Sequence, residues 1–328
     1  MLALWIIVFI ISLIILVKGA DWLLVSAEKI GLALGLSSFI VGVVIVGLGT
    51  SFPELISSIM ALLKGVTEII SANAIGSNIA NILLVVGLSA VVGGRLVVSK
   101  NLIDLDLPLL AVTTALFGLV AWDGVIYIRE SILLIVLFII YLVYTIVHKD
   151  DTEEREETLP ARSDRRKLQT SKPGAISRPK LVWKDFALLV IGIAFLVLGA
   201  KYLIDSVIKL SEILAIAPGV ISLAAVALGT SLPELMVSLK AAWQKKSELA
   251  LGNIFGSNVF NILFVVGFPG MFKTLHLDQS TLTLGLPVMI IATLLFITSG
   301  ISRRIHVYEG AMYLVIYIFF IGRLFNFI

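Results

Sequence analysis

The chain has 328 residues, 59% of them hydrophobic and only 14% charged, where soluble domains carry about a quarter charged. Its formal net charge of +3 is too small to mark a nucleic-acid binder, and the absence of cysteine excludes disulfides, zinc–thiolate sites and iron–sulfur clusters. The three histidines, His148, His276 and His306, fall in or near predicted loops, which leaves no buried histidine metal site. Most of the sequence must therefore sit in lipid as a helix bundle.

A hydrocarbon core takes about 20 apolar residues per helix, and the hydropathy pattern predicts ten spans: 2–31, 37–63, 68–93, 105–122, 130–148, 183–212, 217–242, 248–272, 280–300 and 307–327. The first is apolar from Leu2 to Val17, with no basic leader region and no small-residue cleavage site, so it reads as a retained span rather than a signal peptide. The first and sixth are long enough to require steep tilt. The one substantial polar segment, 149–182, carries KDDTEEREE, then RSDRRK, with Pro160, Pro173 and Pro179. It reads as a solvated linker. The expected organisation is a first unit at 1–148, the linker at 149–182 and a second unit at 183–328.

The two units repeat each other. Gly19-Ala20 matches Gly199-Ala200, GTSFPE at 49–54 matches GTSLPE at 229–234, and Glu68, Asn73, Gly76-Ser77-Asn78, Asn81 and Gly87 recur at Glu248, Asn253, Gly256-Ser257-Asn258, Asn261 and Gly267. All share one offset of 180 positions without a gap. Five spans is an odd number, so the second half enters the membrane from the opposite side, and the fold expected is an all-α polytopic membrane protein of ten transmembrane helices in two inverted five-helix repeats. Basic residues orient it. Arg95, Lys100, Lys245, Lys246, Arg303, Arg304 and the linker share one side, against scattered Lys64, Arg129 and Lys273 on the other. By the positive-inside rule both termini are outside and the linker is cytoplasmic.

Within the repeat, GTS-x-PE sets Glu54 and Glu234 inside apolar helices. A carboxylate at membrane depth is costly and is by default a functional-site candidate. Pro53 and Pro233 remove the helical donor to the carbonyls of Gly49 and Gly229 and disrupt the helix there, which frees the neighbouring carbonyls, those of Thr50 and Thr230 among them, for a cation. Such breaks survive at membrane depth only where they are buried in protein or line a cavity. Thr50, Glu54 and Ser58 share a helix face, as do Thr230, Glu234 and Ser238. Asn73, Ser77 and Asn81 form a polar stripe on the third span, twinned by Asn253, Ser257 and Asn261 on the eighth. Hydroxyl, amide, carbonyl and carboxylate oxygens are hard ligands suited to calcium, magnesium or sodium. Simpler readings stand beside these: an isolated proline kink, helix packing and interhelical hydrogen bonding for the Gly-Ser-Asn stripe, a favourable helix-dipole position for Glu68 and Glu248, and snorkelling for Lys18, Lys201 and Lys240. They serve least well for Glu54 and Glu234, because neither motif supplies a basic partner.

At these residues the sequence resembles the cation/calcium exchanger superfamily, whose inverted repeats carry G-T-S-x-P-E and G-S-N-x-x-N/D elements. The match covers residues 13–90 and 193–270 well, and the branch it most resembles is the sodium/calcium exchangers, especially compact prokaryotic members. The resemblance implies that Glu54 and Glu234 coordinate calcium and share sodium sites, that Thr50 and Thr230 offer backbone carbonyls, that Ser51, Ser231, Ser77 and Ser257 supply hydroxyls, and that Asn81 supplies an amide oxygen. Asn261 stands where the potassium-dependent branch has aspartate, and Thr50 and Thr230 stand where the proton/calcium branch typically has asparagine. The resemblance thus implies no enzyme and no cofactor, but a secondary antiporter whose substrates are calcium and sodium, with no obligatory protein partner. Its expected exchange is potassium-independent and electrogenic. A proton/calcium antiporter and a cation channel are the alternatives.

Overall fold

The computed structural model describes residues 1–34, 47–98, 106–158 and 181–327. The start of the second predicted span, residue 105 of the fourth and most of the linker lie outside the described residues. In chain order the elements are α1 (Leu2–Ala33), α2 (Gly47–Gly49), α3 (Phe52–Lys64), α4 (Glu68–Gly93), β1 (Arg95–Val97), α5 (Leu107–Val120), β2 (Val125–Ile126), α6 (Ile128–Thr158) and α7 (Trp183–Leu214). There follow α8 (Pro218–Thr230), α9 (Leu232–Trp243), α10 (Ser247–Gly270), β3 (Leu275–His276), α11 (Thr281–Ile301), β4 (Arg304–His306) and α12 (Val307–Leu324). Among the described residues seven helices are long and apolar enough to cross a membrane, and the bent pair α8–α9 makes an eighth.

Predicted and observed limits agree closely, except that α6 runs to Thr158 where the span was expected to stop at 148. Lysine, arginine and glutamate are good helix formers, so the polar start of the linker continues the helix instead of ending it. The short strands were also not expected. They form two antiparallel ladders, β1 with β4 (Arg95 opposite His306, Val97 opposite Arg304) and β2 with β3 (Val125 opposite His276).

The two ladders lie at opposite ends of α4. β1 follows its C-terminal end, while the amide of His276 donates to the hydroxyl of Thr67 beside its first turn. Lys245 donates to the carbonyl of Gly93 at 2.7 Å, so Arg95, Lys245 and Arg304 gather at one end. Lys64, Lys273 and Arg129 belong to the other.

α4 and α10 form the centre: 78% of the apolar window of each is buried, against 17% for α1 and 22% for α6. α1 presents Ile7, Ile10 and Ile14 outward, as a lipid-facing helix should. α1 and α7 pack tightly and antiparallel. A Cβ on Gly19 would stand 2.6 Å from the Leu196 amide, one on Gly199 2.7 Å from that of Leu16, and one on Gly192 2.8 Å from that of Leu23. Small residues permit this backbone approach, and Lys29 closes one end of the pair with a 2.8 Å bond to Asp185.

Candidate functional site

The two GTS-x-PE segments are both helix breaks. α2 ends at Gly49 and α3 begins at Phe52, and α8 meets α9 at Ser231 with a 45° bend. Ser51 and Ser231 take near-bridge backbone angles (φ −90°, ψ 12° and φ −79°, ψ 7°), as expected where Pro53 and Pro233 open a new helix and cannot donate backward. Each break places its glutamate in the first turn of the new helix, where the helix dipole favours negative charge. It also leaves a carbonyl-bearing helix end just upstream, the end that favours cations.

The breaks face each other across the molecule. Ser51 Oγ donates to Glu234 Oε1 at 2.7 Å, and Ser231 Oγ donates to Glu54 Oε1 at 3.3 Å. From the central helices Ser77 reaches Glu54 Oε1 at 3.4 Å and Ser257 reaches Glu234 Oε1 at 3.2 Å. Each carboxylate therefore has one oxygen bonded to two serine hydroxyls, one from each half of the chain. The other oxygen of each, Glu54 Oε2 and Glu234 Oε2, is buried without a hydrogen-bond partner among the described residues.

Both glutamates are 0% exposed. Among the described residues no lysine, arginine or histidine forms an ion pair with either, and the crossed serine bonds bring both carboxylates into one cluster. A buried carboxylate without a counter-ion costs several kcal/mol, which the serine hydroxyls and the helix dipole offset only in part. A cation between them would offset the rest.

All ten residues singled out from the sequence are buried at this centre. The Thr50 and Thr230 hydroxyls, expected only to accompany useful carbonyls, bond Asn253 Oδ1 and Asn73 Oδ1 at 3.4 Å, each across to the other half. Asn81 and Asn261 lie at π-type widened turns, Ala80–Val86 in α4 and Asn261–Val265 in α10, a distortion frequent at functional sites. The oxygen Oδ1 of each is buried without a hydrogen-bond partner. Among the described residues four unpaired acceptors, two carboxylate and two amide, thus line the contact between the halves. Ser58 also lies buried, without a bond to the cluster, whereas Ser238 Oγ accepts from Asn253 and donates to the Ala250 carbonyl.

Asn78 and Asn258 were missed as site residues. They stand one position off the stripe counted by fours, yet Asn81 Nδ2 donates to Asn258 Oδ1 at 3.0 Å and Asn261 Nδ2 donates to Asn78 Oδ1 at 3.2 Å. The available signal was their presence in both copies of Gly-Ser-Asn.

The profile of the sodium/calcium exchanger protein family matches residues 4–147 and 184–326, nearly the whole chain. The chain belongs to this family. It is 32% identical to the sodium/calcium exchanger MaX1 of Methanosarcina acetivorans, over 97% of each chain, and 34% identical to the uncharacterized membrane protein MJ0091 of Methanocaldococcus jannaschii, over 96% of each. A structure of the sodium-calcium exchanger NCX_Mj, soaked with 10 mM Na+ and zero Ca2+, superposes with a TM-score of 0.66 at 30% identity, covering 98% of this chain and 99% of that one. Membership in an exchanger family makes the chain a polytopic, mostly helical membrane transporter and not an enzyme. The two stretches matched by the family profile flank 149–182, the segment expected to be a linker.

Proposed function

We propose that this protein exchanges sodium for calcium across the membrane by alternating access, at a site built from Glu54 and Glu234 with Thr50, Ser51, Ser77, Asn81, Thr230, Ser231, Ser257 and Asn261. The observation that carries the reading is the reciprocal pair Ser51–Glu234 and Ser231–Glu54, which joins two broken helices around carboxylates that meet no basic side chain among the described residues. Two ionised glutamates give the site a charge of about −2, which one calcium or two sodium ions neutralise. An empty site would carry uncompensated charge through a low-dielectric barrier, costing several kcal/mol. Loaded forms therefore change sides and the empty form does not, which couples the two ions.

The scaffold for this is ten spans in two inverted halves. Seven long helices and the pair α8–α9 make eight, and α5 together with α2–α3, each adjoining residues outside the described set, makes ten. The 180-residue offset supports the reading, as do the antiparallel packing of α1 on α7 and the reciprocal contacts of the two breaks. We place both termini outside and the linker in the cytoplasm, a reading supported by the gathering of Arg95, Lys245 and Arg304 at one end of the bundle. The moving part is α1 with α7, sliding over the other helices.

The test is calcium uptake into proteoliposomes under an outward sodium gradient, with proton and potassium gradients substituted in turn. Uptake driven by sodium alone supports the reading. Uptake driven equally by protons favours a proton/calcium antiporter, and uptake without any counter-gradient favours a channel.

A further inference from the structure

We propose that Asn78 and Asn258, outside the ligand set above, are positioning residues that turn the amide oxygens of Asn261 and Asn81 toward the cation. The proposal rests on the reading of Asn81 and Asn261 as ligands. An asparagine carboxamide has a donor end and an acceptor end, and rotation about its last bond exchanges them. Only the acceptor end serves a metal ion.

Asn78 Nδ2 donates to the backbone carbonyl of Asn258 at 3.0 Å. A carbonyl only accepts, so this bond fixes which end of Asn78 faces it and leaves Asn78 Oδ1 to take the amide of Asn261 at 3.2 Å. The donor end of Asn261 is thereby engaged and its oxygen left unpaired. Turning Asn261 over would set two oxygen acceptors against each other. The mirror arrangement holds Asn81, whose Nδ2 donates to Asn258 Oδ1 at 3.0 Å and whose oxygen is likewise unpaired.

The two locks differ. Asn78 is anchored to a backbone carbonyl, whereas Asn258 Nδ2 has no hydrogen-bond partner. The Asn78–Asn261 arm is therefore the more firmly anchored of the two. Asn78 and Asn261 also form a matched set: an ionised aspartate at 261 has no hydrogen to give Asn78 Oδ1.

The experiment is a double-mutant cycle on purified full-length protein, with sodium and calcium half-saturation, maximal exchange rate and Tm measured for wild type, Asn78→Ala, Asn261→Ala and the double variant. Asn78→Ala and Asn261→Ala should each weaken ion binding about tenfold, the scale of one hydrogen bond or ligand, with Tm reporting whether each variant folds. The double variant should be no weaker than the worse single one, since coupled residues are not additive. Wild-type affinity in Asn78→Ala, or independent effects that multiply, overturns the positioning role. Wild-type affinity in Asn261→Ala overturns the ligand reading itself, and the positioning role with it. If Asn78→Ala does not fold, Asn258→Ala with Asn81→Ala makes the same cycle.

Discussion

Ser51 and Glu234 lie 183 residues apart and share the shortest hydrogen bond in the buried centre, 2.7 Å, while their counterparts Ser231 and Glu54 stand at 3.3 Å. The serine at each helix break thus holds the glutamate of the other half. Hydrogen bonds to charged groups contribute about 1.5–3 kcal/mol, and the shorter one has more to lose. Ser51→Ala should raise the sodium half-saturation of exchange about tenfold or more, and Ser231→Ala should raise it less. Initial rates across a sodium titration check this order.

Removing the charge of either glutamate should abolish exchange without unfolding the protein. Glu54→Gln and Glu234→Gln keep the volume and eliminate a buried, unpaired charge. Expected Tm values, measured without sodium or calcium, are at or above wild type, with transport at background. A variant that folds and still exchanges calcium at the normal rate would remove that residue from the site.

Gly76 tests the packing that supports the centre. A Cβ there would stand 2.2 Å from the Leu223 carbonyl oxygen, a backbone atom that cannot rotate away. Gly76→Ala should cost about 1–3 kcal/mol, the usual range for overpacking, and lower Tm by several degrees. Gly252→Ala, with nothing within 4 Å of its Cβ position, is the control and should leave Tm unchanged.

Two ion pairs bear on the proposed sliding of α1 with α7. Lys29–Asp185 lies within the proposed mobile unit, joining α1 to α7, whereas Lys64–Asp205 at 2.6 Å joins α3 to α7 and must break if α7 slides. Both partners of the second pair are partly exposed, so it contributes at most about 1 kcal/mol. Asp205→Asn should change maximal turnover up to about fivefold, with ion affinity unchanged, and the swap Lys64→Asp with Asp205→Lys should restore it. Turnover unaffected by breaking the pair would argue against sliding of α7 over α3.

An exchange of three sodium ions for one calcium, the stoichiometry the family resemblance implies, moves one net charge per cycle. That charge is worth about 2.3 kcal/mol per 100 mV. Calcium accumulation at a fixed sodium gradient should shift with a potassium–valinomycin clamp. Indifference to potential would indicate a neutral two-for-one cycle.

The parts of this site that were legible in the sequence are those set by covalent neighbours. Pro53 and Pro233 announce the breaks, and the carboxylates beside them stand out because lipid tolerates few. Asn78 and Asn258 were not legible, because their partners lie on another helix and spacing along one helix says nothing of cross-bundle bonds. The widened turns at Asn81 and Asn261 have no local signal either, since they arise where α4 and α10 pack at the centre. The ladders that join loops distant in sequence, Arg95 opposite His306 for one, follow from where the helix ends meet and not from strand propensity.

Direct calcium binding tests the central claim most simply. Equilibrium titration of the purified protein in detergent, at low and high sodium, should give one calcium per chain, displaced by sodium, with calcium binding lost in both Glu54→Gln and Glu234→Gln. Calcium binding that persists in both variants, or that sodium leaves unchanged, would contradict a shared cation site between the two glutamates.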